Sequence, residues 1–144
     1  AVQNIPSERV KLIVFGSIVD ELKEDIARLS DGVKVQYIGW VDAKESYDYF
    51  ASSDLVVFPG RHSVFWEQVV AQGIPLVVKF WEGTTHVDIV GNCQFLYEDS
   101  VVEIQHAIES LVNYSEKYQQ FWDAAQKSGK DNFLYSEIAK KSLS

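Results

Sequence analysis

A single cysteine and a shortage of positive charge set the first limits on this chain of 144 residues. Cys93 has no second cysteine to pair with, so no disulfide framework holds the fold. A reducing, cytoplasmic setting is the expected one. Lysine and arginine number 13 against 21 acidic residues, giving a formal charge of -8 and a pI near 4.8. Such a surface argues against nucleic acid or an anionic membrane as the main partner. Its longest apolar runs are strand-length, far short of the ~20 residues of a spanning helix, and no secretory signal is visible. Missing too are GxGxxG, a P-loop, GxSxG and any cluster spaced like metal ligands. His62, His86 and His106 do not have the spacing of a metal site, and His106 reads as a surface residue in mid-helix. No metal and no cofactor are therefore expected. With no initiator Met and a short polar lead from Ala1 to Glu8, the chain is expected to be an excised domain.

What is present alternates. Val10 to Phe15 has the pattern of a buried strand and stops at Gly16-Ser17; Asp20 to Leu29 is predicted as a helix with Leu22, Ile26 and Leu29 on its inner face. After the turn Ser30-Asp31-Gly32, Val33, Val35 and Tyr37 alternate with polar residues, as in a strand near a sheet edge. Gly39-Trp40-Val41 lies at that strand's carboxyl end, and Ala43 to Ser53 is a short helix. Cys93 to Tyr97 is a further strand. Ser100 caps a helix to about Asn113, with Glu103 completing a capping box. Ser115 to about Lys127 is a helix with Tyr118, Phe121 and Trp122 as its apolar side, and Ser136 to Leu143 a short final one. Strand and helix alternate five times, then the tail is helical. The predicted class is α/β: one domain, 1–144, with a Rossmann-like doubly wound parallel sheet, helices on both faces and a helical C-terminal tail.

The stretch Asp54 to Lys79 organises the rest. Leu55 to Phe58 is a continuous apolar run suited to a buried parallel strand, and Pro59-Gly60 stops it. Ser63 can cap a helix whose Trp66, Val69 and Val70 share a face; Gly73 ends it, and Ile74-Pro75 forces an extended restart into Leu76 to Val78. The loop Pro59 to His62 thus sits at the carboxyl end of a strand, where open α/β sheets bind ligands. Arg61 and His62 are its ligand candidates, beside a helix start that offers free N–H groups to an anion.

Three motifs carry a resemblance: Gly39-Trp40-Val41, then Ser53 to Pro59, then Glu67 to Pro75. In this order and spacing, over roughly residues 10 to 113, the chain resembles the carboxyl-terminal, donor-binding domain of the GT-B glycosyltransferases of group 1 (family 4). The family places a glutamate five residues before the closing glycine; that position here is Gln68, and Glu67 stands one residue earlier. The loop is also shorter than the family pattern. The resemblance implies a nucleotide-sugar donor, most simply a UDP-sugar, from which the full enzyme moves a hexosyl group to a glycan or lipid-linked acceptor. It further implies an amino-terminal acceptor-binding domain and a first strand–helix unit upstream of Val10, and hence an inactive isolated fragment. In such domains the leaving diphosphate is stabilised by helix N-termini and basic side chains rather than a metal.

Residue by residue, the resemblance implies that Gly16 and Ser17 line the phosphate side and that Trp40 and Val41 hold the base. Glu67 would read the ribose diol, and Thr84, Thr85 and His86 would lie at the sugar and phosphates. Plainer readings stand beside these: Trp40 as a core residue, Ser63 as a helix cap only, and Glu67 as a first-turn glutamate favoured by the helix dipole. No catalytic residue is singled out. Two other functions stay open: a nucleotide-sugar epimerase of the same fold, and a non-enzymatic flavodoxin-like binding or regulatory domain. Phe15-Gly16-Ser17 lacks the clustered aspartates of a phospho-acceptor receiver.

Overall fold

The chain follows the alternation written in its sequence. A computed structural model describes residues 1–133, 139–140 and 142–143. Of the expected final helix from Ser136 to Leu143, positions 136–138 and 141 lie outside the described residues, and 139, 140, 142 and 143 are helical. Two compact units are distinguished, Ala1–Ser46 and Tyr47–Ser144.

In the first unit, β1 (Leu12–Val14) pairs in parallel with β2 (Val35–Tyr37), Leu12 opposite Val35 and Val14 opposite Tyr37. Between them the expected single helix is divided. Asp20–Leu22 forms a 3-10 turn, and α1 (Lys23–Leu29) follows. The inward face expected of Leu22, Ile26 and Leu29 is shallow: α1 has no buried residue, and Leu22 is exposed. Asp31 fixes the turn before β2, its Oδ1 accepting from the N–H groups of Val33, Lys34 and Val35 at 2.7 to 3.0 Å. Those three bonds, with that to Val35 the strongest influence, hold its carboxyl below the usual value. α2 (Ala43–Ala51), in which the first unit ends, opens on a reciprocal capping box: Asp42 Oδ1 accepts from the Glu45 N–H, and Glu45 Oε2 from the Asp42 N–H.

The second unit is built on β3 (Val56–Phe58), β4 (Leu76–Lys79) and β5 (Cys93–Leu96), all parallel, with β4 in the middle. Its central position explains its composition: all four residues of β4 are buried, three of them aliphatic. α3 (Phe65–Ala71) connects β3 to β4 and buries Trp66, Val69 and Val70; Gly73 follows at φ 74°, a conformation glycine adopts without strain. α4 (Val101–Asn113) begins with the Ser100 hydroxyl accepting from the Glu103 N–H. Glu103 reaches further back than a capping box requires, taking the N–H groups of Tyr97 and Glu98. α5 (Ser115–Phe133) runs past the expected end at Lys127. Val77, Leu96, Ala107, Leu111 and Phe121 form one core cluster, and each fully buried aliphatic side chain contributes about 1.5–3 kcal/mol.

α5 also lies close against α3. Gln126 donates to the Gly73 carbonyl at 2.7 Å. Gly129 faces Val70 so tightly that a Cβ there would stand 2.0 Å from the Val70 carbonyl oxygen. Cys93 is buried in β5, and burial pushes its thiol well above the ordinary range, so it is an inert packing residue.

Candidate functional site

Parallel strands that are neighbours place their carboxyl-end loops side by side. β3 and β4 are such neighbours, so the loop after Phe58 and the loop after Lys79 meet. A tryptophan ties them: Trp81 Nε1 donates to the Gly60 carbonyl at 3.1 Å. The β4 loop then turns, with Gly83 at φ 81° and Thr84 giving both its N–H and its hydroxyl to the Trp81 carbonyl. Thr85–Val87 forms a 3-10 turn that anchors on buried Val87 and brings His86 round toward α3.

α3 supplies what the two loops share. Glu67 Oε1 accepts from His62 Nε2 at 2.8 Å and from His86 Nε2 at 2.7 Å. The two imidazole rings lie 5.7 Å apart, edge to face, and His62 also stands edge-on to buried Trp66 at 4.8 Å. Burial by itself would raise the Glu67 carboxyl. The hydrogen bonds from His86, its own backbone N–H and His62 together outweigh that and leave it lowered. An ionised carboxylate only accepts, so both Nε2 atoms carry hydrogen. Glu67 thereby fixes the orientation of two rings while its second oxygen, Oε2, is buried without a partner among the described residues.

The candidates of this unit are thus placed as follows. His62, Glu67 and His86 converge, and Arg61 is exposed on the same loop as His62. Thr84 is committed to its own turn, and Thr85 is exposed beside His86. Ser63 accepts from the Phe65 N–H at 3.3 Å and its carbonyl from the Trp66 N–H, so it starts the helix, which begins two residues later at Phe65. Glu67 and not Gln68 faces the histidines; Gln68 Oε1 is buried with no partner among the described residues. His62 and His86 both engage Glu67 Oε1, so the carboxylate is shared between the two rings.

The first unit holds its own candidates together. The Gly16 N–H donates to the Gly39 carbonyl at 2.9 Å, and the Gly16 carbonyl accepts from the Tyr37 hydroxyl at 2.6 Å. Ser17 and Trp40 flank that pair of loop ends at the carboxyl side of β1 and β2. Trp40 is 72% exposed, so it is not the core residue of the plainer reading, and Val41 is half-buried.

The spacing argument against the histidines sees only sequence distance. His86 is 19 residues from Glu67, but adjacent parallel strands cancel that separation. Trp81 was missed; a tryptophan two residues past the end of a buried strand was its one signal. Lys79, at the carboxyl end of β4, was missed as well: it is buried and bonded to Asp99 at 2.6 Å. His106 is exposed on α4, as expected.

No family model matches the sequence, and no curated protein does. Solved structures do. Anabaena HepE in complex with UDP is similar with a TM-score of 0.75 and 20% identity, over 99% of this chain and 41% of HepE. Sucrose-phosphate synthase from Thermosynechococcus elongatus is similar at TM-score 0.71 and 12% identity, over 92% of this chain and 37% of that one. TarM is similar at TM-score 0.69 and 16% identity, over 93% and 28%. The chain therefore spans well under half the length of each of these structures. HepE was also solved with UDP-glucose and with UDP and glucose. At these identities the likeness is one of fold. It is a Rossmann-like α/β fold of the GT-B type, with parallel strands and flanking helices.

Proposed function

We propose that this chain is the donor-binding part of a glycosyltransferase that moves a hexosyl group from a nucleoside diphosphate sugar, in the first instance a UDP-sugar, to a glycan or lipid-linked acceptor. The observation that carries the proposal is the convergence of His62 and His86 on Glu67 at the carboxyl end of a parallel sheet, with Arg61 exposed on the same loop. That is the end at which open α/β sheets take ligands. The fold it shares with HepE, a protein solved with UDP and UDP-glucose, supports the choice of ligand.

In this reading Arg61 grips the diphosphate, since a guanidinium gives two parallel N–H bonds to phosphate oxygens. His62 and His86 present imidazoles held in one orientation by Glu67, which acts through them as a positioning residue. Thr85 adds a hydroxyl. Gly16, Ser17, Trp40 and Val41 enter the proposal on the resemblance alone, as phosphate and base contacts. The acceptor and the remainder of the catalytic apparatus would belong to a second domain of the full-length protein. The isolated chain would then bind donor without turning it over.

Isothermal titration of the chain with UDP, GDP, ADP and uridine tests this. UDP should bind with a dissociation constant of roughly 0.1–1 mM, about 4–6 kcal/mol, and tighter than uridine. Arg61→Ala should weaken UDP and leave uridine nearly unchanged. Equal losses for both ligands would remove Arg61 from the phosphates. Absence of any nucleoside diphosphate binding, or robust sugar transfer by the 144-residue chain alone, would overturn the donor-domain reading.

A further inference from the structure

We infer that His62, Glu67 and His86 form a binding site for a divalent transition-metal ion of the zinc class. Each of the three residues offers one ligand atom, and these atoms all lie within 4.8 Å of one another. The two nearest approaches, 2.8 and 2.7 Å, both involve Glu67 Oε1. Two imidazoles and one carboxylate are a donor set that suits zinc, cobalt or nickel, and three protein ligands leave coordination positions open to solvent or to a ligand oxygen.

Three different elements bring these groups together: the β3 loop, α3 and the 3-10 turn after β4. Each is tied down independently of the cluster. Trp81 bonds to Gly60, Val87 is buried, and Trp66, directly before Glu67, is fully buried. A site held by rigid supports keeps its geometry when an ion enters. Glu67 Oε2 is buried with no hydrogen-bond partner among the described residues, which leaves the carboxylate further coordinating capacity. The His62 and His86 side chains are 37% and 45% exposed, so an ion can enter from solvent.

Ligand atoms around zinc sit about 2.0–2.2 Å from the metal. The present hydrogen-bond distances therefore need only a small opening of the two side chains, which their exposure permits. On binding, each neutral imidazole moves its proton from Nε2 to Nδ1 and offers the Nε2 lone pair, while Glu67 is already ionised. An imidazole that is charged beforehand releases one proton to solvent instead. The inference goes against the sequence expectation of no metal. The ion would lie at the strand ends where a donor is proposed to bind, but its own binding requires no nucleotide.

The test uses the whole chain without an affinity tag of histidines, stripped with chelator and free of nucleotide. Cobalt(II) is titrated and followed by visible absorption, then displaced with zinc. One equivalent should bind saturably. His62→Ala and His86→Ala should each weaken it at least 10-fold, and His106→Ala should leave it unchanged. Glu67→Gln should weaken it too, with far-UV circular dichroism confirming the fold; the two histidine variants, at exposed positions, decide the matter if that variant unfolds. No saturable uptake, uptake insensitive to both His62→Ala and His86→Ala, or uptake lost with His106→Ala would overturn the site. Nucleotide titration plays no part in the readout, so failure here and failure of the donor reading are separate results.

Discussion

Replacing Gly129 by alanine tests the packing of α5 against α3, the helix that carries Glu67. Alanine is the better helix former by about 1 kcal/mol, so propensity alone predicts a gain in stability. The structure predicts a loss. A Cβ at this position would lie 2.0 Å from the Val70 carbonyl oxygen, 3.0 Å from its carbon and 3.3 Å from Val70 Cγ1. Carbon and carbonyl oxygen in comfortable contact are about 3.3 Å apart or more. The nearest atom is backbone, so no rotamer change relieves the clash, and α5 must withdraw from α3 by ~1 Å. Overpacking of this kind costs about 1–3 kcal/mol, and a backbone obstacle belongs at the upper end or above it. Set against the propensity gain, the net loss is about 2 kcal/mol. Urea unfolding slopes of roughly 1–3 kcal/mol per molar convert this to a midpoint lowered by about 1 M. Lys127→Ala, at an exposed position on the same helix, is the control and should stay within about 0.5 kcal/mol of the parent. A Gly129→Ala chain as stable as the parent would show that α5 does not approach α3 this closely. α3 carries Glu67, so the packing of α5 behind that helix would then have to be redrawn.

Two smaller perturbations follow from the hydrogen bonds. Tyr118 donates to the Asp54 carbonyl at 3.0 Å, and burial, with Asp54 nearby, pushes its hydroxyl from 10.0 up to about 12. The neutral form is favoured by folding, so this contribution is full below pH 10 and is lost as the pH rises from there toward 12. Tyr118→Phe should cost about 0.5–1.5 kcal/mol at neutral pH and flatten the alkaline limb of a stability–pH curve; an unchanged limb would refute the assignment. Asp31→Ala should lower the melting temperature at neutral pH, since three backbone N–H groups lose their acceptor. Its carboxyl is lowered below 3.8, so the advantage of the parent should hold above that pH and vanish as the pH falls through the lower folded value. A difference between the two chains that persists to the lowest pH would show that Asp31 acts by something other than its charge.

The elements that read clearly in the sequence are those with one dominant physical cause. Leu76 to Val78 of β4 are apolar because a central parallel strand is covered on both faces, and Gly73 ends α3 because the chain there takes a positive φ. Where two causes compete, the sequence misleads. Leu22, Ile26 and Leu29 have helical spacing, but spacing says nothing of whether a partner covers them, and α1 buries none of its residues. The helix from Ser115 is expected to end near Lys127, two residues before Gly129. In the fold Gly129 lies inside α5, and its missing side chain is what lets the helix approach Val70. Cap chemistry was legible at Ser100, where the serine and Glu103 stand at the expected interval, but the reach of Glu103 to Tyr97 and Glu98 depends on how the strand end folds back.

The candidate site shows the same division more sharply. Arg61, His62, Glu67 and His86 could each be chosen from sequence, because strand ends and helix starts are local features. Their relation could not, because it comes from strand order. β3 and β4 are neighbours, so the loops that follow them are neighbours, and α3 crosses between the two strands on one face. A helix one residue out of register would turn Gln68 toward the imidazoles instead. An amide presents a donor as well as an acceptor, and it carries no charge to hold two Nε2–H groups on a single oxygen. Glu67, and not the residue after it, is thus the one whose carboxylate reaches the place where His62 and His86 meet.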